Sequence, residues 1–328
     1  MAGVVGCARK TATCRRQARP RVQAKRRLPP GIAEHGGVPL RSSRSCYNPI
    51  RMAIRLIAVD LDGTLLNNKL EISQANRQAL AAASERGVRI AITTGRRFHS
   101  ARPLVDSLPC PITLVTSNGA MVRTLSGEVL HRNFLPREAA VQVLEAAIDY
   151  RTYAVALFDT PGRGQVMMQQ NASLEGPLRW YLKTAREYLL QVLDLAAALP
   201  DDPIQVMFGG APAFLGPLEH LLRASAAGRH VQLTWTKYFE RNISLLDVMN
   251  LGCSKASGLK WLLDQTGCEP SEVMAIGDNY NDLDMLQMAG FPVMMGNSIP
   301  GLNSGGWHVT RSNDEDGVAA AIHELVLK

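Results

Sequence analysis

The sequence predicts an α/β fold, a parallel-sheet core into which an α+β segment is inserted, and three observations carry that expectation. Short runs rich in Val, Ile, Leu and Met recur as largely apolar stretches rather than strictly alternating ones, at Ile54–Val59, Val88–Ile92, Ile112–Val115, Val273–Ile276 and Phe291–Met295. Strands buried on both faces read this way. Amphipathic stretches join the runs at both ends of the chain, the arrangement of a parallel sheet with helices on each side. In the middle of the chain the strict alternation is lost, which marks a separate α+β unit.

Taken in order, the first run is followed by a helix predicted over Ser73–Arg86, with Ala75, Ala79, Leu80 and Ala83 at helical spacing and Gly87 as its stop. The middle reads as a helix over Pro136–Asp149, then strands at Tyr153–Phe158 and Gln165–Gln170 around the turn Pro161-Gly162-Arg163-Gly164. A mostly helical stretch over Leu174–Ala198, a strand at Ile204–Phe208, a helix over Ala213–Ala226 and a strand at Val231–Thr236 follow. Helices over Lys255–Gln265 and Asn281–Ala289 flank the fourth run. The expected organisation is therefore a basic extension at 1–51, a first core part at 52–135, an insert at 136–242 and a second core part at 243–328. The aromatics Trp180-Tyr181 and Trp235 to Phe239 of the insert read as core rather than as ligand platforms.

Charge separates the extension from the rest. The net charge of +7 over 328 residues would point to an acidic partner, but the first 51 residues hold twelve Lys and Arg against one acid, Glu34. The remaining 277 residues hold 24 bases and 28 acids, so the body is acidic and the positive charge belongs to the tail. With few large apolar residues the tail cannot offset its ordering entropy and is expected to be disordered. Three readings compete for it: an extension ahead of a working start at Met52, which is preferred; an organellar transit peptide; and a nucleic-acid arm. Cys7, Cys14, Cys46, Cys110, Cys253 and Cys268 show neither C-x-x-C pairing nor zinc spacing, so reduced thiols in a cytoplasm-like compartment are expected. No apolar stretch approaches the ~18 residues of a membrane helix.

Each run ends in polar chemistry. The clusters are Asp60-Leu61-Asp62-Gly63-Thr64, Thr93-Thr94-Gly95-Arg96, Thr116-Ser117-Asn118-Gly119 and Gly277-Asp278-Asn279-Tyr280-Asn281-Asp282. Ligands of open α/β sheets bind beyond the carboxyl ends of the strands, so the four should meet on one rim. Two carboxylates two residues apart, with Asp278 as a third, repel unless a cation joins them, and three acids make a hard oxygen site suited to Mg²⁺. A divalent cation, backbone amides, a hydroxyl and a lysine are what phosphoryl transfer needs. A carboxylate can itself be the nucleophile.

On these motifs the chain from Met52 onward resembles the haloacid dehalogenase superfamily, and within it the Cof-like sugar-phosphate phosphatases with a large inserted α+β cap. Asp60 to Leu66 match the first motif, Thr94-Gly95-Arg96 the second, Lys255 the third and Gly277 to Asp282 the fourth. One departure is that the lysine is followed by Ala256-Ser257-Gly258 where the family usually has Lys-Gly. The resemblance implies a Rossmann-like core and an aspartyl-phosphate mechanism. Asp60 would be the nucleophile, Asp62 the general acid and base, and Lys255 the charge-balancing cation. Asp60, the Asp62 backbone carbonyl and Asp278 would hold Mg²⁺, with Asp282 orienting the site. Leu61, Thr94, Gly95 and Asn281 would bind phosphate, with Asn118 near substrate or simply in an Asx turn. Arg96 receives no role. The implied partner is a small phosphorylated metabolite, with no nucleic acid and no membrane. The rivals are a phosphomutase using the same aspartyl-phosphate and a nucleic-acid-binding protein acting through the tail.

Overall fold

The computed structural model describes residues 54–172, 178–238, 242–302 and 306–328. The extension 1–51, the opening of the expected 174–198 helix, the Trp180 side chain and Phe239 lie outside the described residues. The chain begins with β1 (Leu56–Asp60), α1 (Gln74–Glu85), β2 (Arg89–Thr93), α2 (Phe98–Val105), β3 (Ile112–Thr116), β4 (Met121–Thr124) and β5 (Val129–Arg132). It continues through α3 (Arg137–Ala146), β6 (Ala154–Leu157), β7 (Val166–Gln169), α4 (Arg179–Ala185), β8 (Leu189–Val192), β9 (Gln205–Gly210), α5 (Pro212–Ala224), β10 (Val231–Tyr238) and β11 (Ile243–Asn250). It closes with α6 (Lys255–Thr266), β12 (Val273–Gly277), α7 (Leu283–Met288), β13 (Phe291–Met294), β14 (His308–Val309) and α8 (Gly317–Leu325).

These strands form two sheets. The first is ordered β14-β13-β12-β1-β2-β3-β4-β5, and its first six strands run parallel. The apolar runs are continuous because both faces of these strands are covered. In β1, Ile57 and Val59 pack with Leu80 of α1 and Ile322 of α8, while Leu56 and Ala58 pack with Leu259 of α6 and Met285 of α7. The register pairs Leu56 with Val273 on one side and with Arg89 on the other. That alignment brings the carboxyl ends of β1, β2, β3 and β12 to one rim.

The second sheet is ordered β10-β11-β9-β6-β7-β8 and is antiparallel except between β7 and β8. Its alternation sorts Ala156, Phe208, Leu246 and Val248 to the face covered by α3 and α5, and Leu157, Met207, Leu245 and Met249 to the other. Two expectations change here. The insert, expected to end at 242, extends further, because Ile243–Asn250 is a full strand between β10 and β9. The helix expected over Leu174–Ala198 is confined to α4, and Leu189–Val192 is an edge strand parallel to β7. Pairing with β7 sets this segment, since cross-strand packing outweighs local propensity.

Helix ends are set locally. Ser73 accepts from the Asn76 amide at the start of α1. Ser254 and Ser257 cap each other reciprocally at the start of α6, and Gly267 ends it at φ 61°. Ser257 belongs to the segment that departs from the usual lysine motif, and it fixes Lys255 as the first residue of the helix. Among the described residues no helix is long and apolar enough to cross a membrane.

Candidate active site

Asp60 is the last residue of β1 and is 4% exposed. Its carboxylate is bonded by the Lys255 ammonium, which also donates to Asp282 Oδ1 at 2.6 Å. Lys255 itself is fully enclosed. Burial alone would lower the Lys255 ammonium, but Asp282 and Asp60 more than offset it and hold its pKa above the ordinary value. The second oxygen of Asp282 accepts from the backbone amides of Asp278 (3.1 Å) and Asn279 (3.0 Å). Both of its oxygens are thus engaged in holding Lys255 and the turn after β12. Gly277 makes room for this, because a Cβ there would sit 2.6 Å from the Asp282 side chain.

Asp278 follows β12, and its Oδ1 accepts from the Thr64 hydroxyl at 2.9 Å. Gly63, at φ +79°, lets the turn after β1 approach it, since a Cβ would lie 2.6 Å from Asp278 Oδ2. Asp60, Asp278 and Asp282 bring one oxygen each within 4.8 Å of one another. Burial pushes the Asp60 carboxyl up to about 7 against the opposing pull of Lys255, and burial together with Asp60 holds Asp278 well above the usual carboxylate range. One ammonium does not neutralise three buried carboxylates, so the donor set fits a divalent cation.

Asp62 stands apart from these three acids. Its carboxylate does not join the acidic cluster; Arg96 holds it through Nε to Oδ2 at 2.7 Å and Nη2 to Oδ1 at 2.5 Å. Arg96, assigned no role from sequence, is thereby part of the site. Its position directly after Thr94-Gly95 was the available signal. Thr94 is buried at the end of β2, and its Oγ1 accepts from the Arg96 amide at 3.1 Å, leaving its own hydrogen to donate. Leu61, one residue beyond Asp60, is buried, and Gly95, one residue beyond Thr94, is half-buried. A Cβ on Gly95 would be 3.1 Å from Asn118 Oδ1.

Asn118 adopts the left-handed region at φ 51° in the turn after β3 and is 1% exposed. Its side chain accepts from Asn281 Nδ2 at 3.0 Å and donates to Asp247 Oδ2 at 3.0 Å. The rim therefore collects every expected side chain: Asp60, Asp62, Thr94, Asn118, Lys255, Asp278, Asn281 and Asp282. The second sheet adds residues the sequence did not single out. Lys237 and Asn279 exchange backbone and side-chain hydrogen bonds at 3.2 and 3.0 Å. Burial, with Asp62 adding to it, holds the Tyr238 phenol above its ordinary value. Arg97 crosses to Gln165 at 2.8 Å. Asp247 could have been noticed as the lone acid in the apolar run Ile243–Met249.

The chain is similar to known proteins in sequence and in fold. A model of the haloacid dehalogenase-like hydrolases matches residues 57–322. An HMP-PP phosphatase from Serratia proteamaculans is 33% identical over 251 residues, covering 76% of this chain and 86% of that protein. A 5-amino-6-(5-phospho-D-ribitylamino)uracil phosphatase from Bacillus subtilis is 27% identical over 292 residues, covering 83% and 98%. A crystal structure of a haloacid dehalogenase-like hydrolase from Bacteroides thetaiotaomicron superposes with a TM-score of 0.67 at 28% identity, covering 83% of this chain and 99% of that one. With a lysine-bridged acidic cluster on the rim of a parallel sheet and a match over most of its length, the chain belongs to the haloacid dehalogenase superfamily, as a phosphatase of the Cof type.

Proposed function

We propose that the protein hydrolyses small phosphorylated metabolites, sugar phosphates in particular, through a phosphoryl group carried on Asp60. The observation that supports this best is the contrast between two carboxylates two residues apart. Asp60 is buried against Lys255 and faces Asp278, whereas Asp62 is held by Arg96 and half-exposed. Two carboxyls in such different surroundings fit two different tasks.

In this reading the Asp60 and Asp278 carboxylates and the Asp62 carbonyl hold Mg²⁺. When bound, the ion neutralises charge on the cluster and on the phosphoryl oxygens. The Asp60 oxygen not bonded to Lys255 forms a bond to phosphorus as the bond to the leaving oxygen breaks. Asp62, which takes up a proton from solvent once it swings from Arg96, gives that proton to the leaving oxygen. Asp62 then takes a proton from water as the water attacks phosphorus, releasing orthophosphate and restoring Asp60. Thr94, Asn281 and the Leu61 and Gly95 amides bind the phosphoryl oxygens, with Asn118 beside them, and Asp282 keeps Lys255 in place. The inserted segment, from about residue 136 to 250, serves as a cap that excludes water. The names of the two phosphatase relatives, one carrying a phospho-ribityl group, support small phosphorylated substrates. A cytoplasmic setting suits them.

The test is a panel of phosphorylated metabolites assayed for released orthophosphate, with Mg²⁺ and with chelator. Asp60→Asn should retain the fold, by circular dichroism, and lose turnover by a factor of at least about 10³. Full turnover in that variant, or conversion of the substrate to an isomer without orthophosphate, would overturn the reading.

A further inference from the structure

Asp247 is 2% exposed, and among the described residues burial and an amide hydrogen bond, rather than a cation, set its carboxyl. It sits on β11, on the face of the second sheet lined by Leu157, Met207, Leu245 and Met249. A carboxylate there is expensive unless it is well hydrogen-bonded. Its partners are two amides, Gln205 Nε2 at 2.6 Å on β9 and Asn118 Nδ2 at 3.0 Å on the rim of the first sheet. Asn118 Oδ1 in turn accepts from Asn281 Nδ2 at 3.0 Å. Three hydrogen bonds thus run without a break from the inserted sheet to the amide that the proposed function assigns to phosphate.

We propose that Asp247 is a positioning residue that orients the Asn281 amide through Asn118, so that the phosphate pocket is set only when the inserted sheet is seated. The inference rests on the phosphatase reading of the rim. The physical reason is that each Asp247 oxygen accepts from a side-chain amide, Oδ2 from Asn118 and Oδ1 from Gln205. Asp247 obliges Asn118 to turn its NH₂ toward the inserted sheet, and this leaves Oδ1 to receive Asn281. The Asn118 backbone cannot readily adjust, since its amide donates to Thr94 O at 3.0 Å and Gly95 closes on its side chain. Without the acceptor, the Asn118 amide is free to flip. Flipping sets its NH₂ against the NH₂ of Asn281, donor against donor, and pushes the phosphate-binding amide away.

The experiment uses the full chain with Mg²⁺, 4-nitrophenyl phosphate as substrate and orthophosphate as inhibitor. Asp247→Leu keeps a branched side chain and removes the acceptor. It should lower kcat/KM by about 10- to 100-fold and weaken orthophosphate inhibition by a comparable factor. Asp247→Asn keeps an acceptor for Asn118, and Gln205 can turn its unpartnered Oε1 to the new NH₂; it should recover most of the loss. In a double-mutant cycle Asn118→Leu should add little to Asp247→Leu. If Asp247→Leu does not fold, Asp247→Ala carries the same comparison. Orthophosphate affinity unchanged in Asp247→Leu, losses that follow the melting temperature rather than the presence of an acceptor, or additive effects with Asn118→Leu would each overturn the proposal while leaving the phosphatase reading standing. A native chain that neither hydrolyses the substrate nor binds orthophosphate overturns both.

Discussion

Two buried acidic sites, one on the rim of the first sheet and one on the inserted sheet, solve the same electrostatic problem in different ways. On the rim of the first sheet, Asp60 and Asp282 share the Lys255 ammonium and Asp278 stands beside them. On the inserted sheet, Asp247 has amides alone. Burial raises the Asp60 and Asp247 carboxyls alike to about 7. The difference lies in what each burial achieves. The first site concentrates charge, which suits a cation and a phosphoryl group; the second uses one acceptor to fix the direction of a side-chain amide.

The largest break in this comparison should come from Lys255→Met. Removing the one cation leaves Asp60 and Asp282 buried and unpaired, and urea unfolding should show a loss of about 3–5 kcal/mol together with loss of turnover. Titration with Mg²⁺ should act in the opposite direction. At a concentration about 100-fold above its Kd, the ion should stabilise the native chain by about 2.7 kcal/mol, and Asp278→Asn should erase most of that gain. An equal Mg²⁺ gain in the variant would remove Asp278 from the cation site.

The amide-held site answers to pH. A carboxyl whose native pKa is raised from 3.8 to about 7 favours folding below 3.8 and loses that contribution as pH rises through about 7. Unfolding of the native chain and of Asp247→Asn should therefore diverge between about pH 4 and 7, the variant gaining relative stability as pH rises; parallel curves would count against a raised Asp247. A smaller effect is expected at the half-exposed pair. Arg96→Lys replaces the two-pronged contact to Asp62 with a single one, and kcat/KM should fall about tenfold with stability unchanged. The smallest is expected outside both sites. Every side chain of the rim lies between Asp60 and Asp282, so a chain starting at Met52 should keep its kcat/KM, and a gel shift with nucleic acid should show no binding by either form.

The first site was legible in the sequence because its residues sit at the ends of apolar runs, and a run that stops in Asp-x-Asp-Gly-Thr or Gly-Asp-x-x-x-Asp declares its chemistry locally. The second was not, because Asp247 is one acid inside a strand and its meaning depends on Asn118, 129 residues away. The same limit explains Asp62. Sequence proximity grouped its carboxylate with Asp60, but successive positions beyond a strand end point in different directions, and Arg96 waits on one side while Lys255 lies on the other. Leu189–Val192 fell inside the stretch expected to be mostly helical, and pairing with β7, some twenty residues earlier, makes it a strand.

The sequence by itself determined the parallel core, the four polar clusters and the chemistry they share, because hydrophobic runs and strand-end motifs are properties of neighbouring residues. Only the tertiary structure decided which acid meets which cation, where the insert ends and how Asp247 reaches the rim. Those depend on strand register and on the seating of one sheet against another, which are set by packing between residues far apart in the chain.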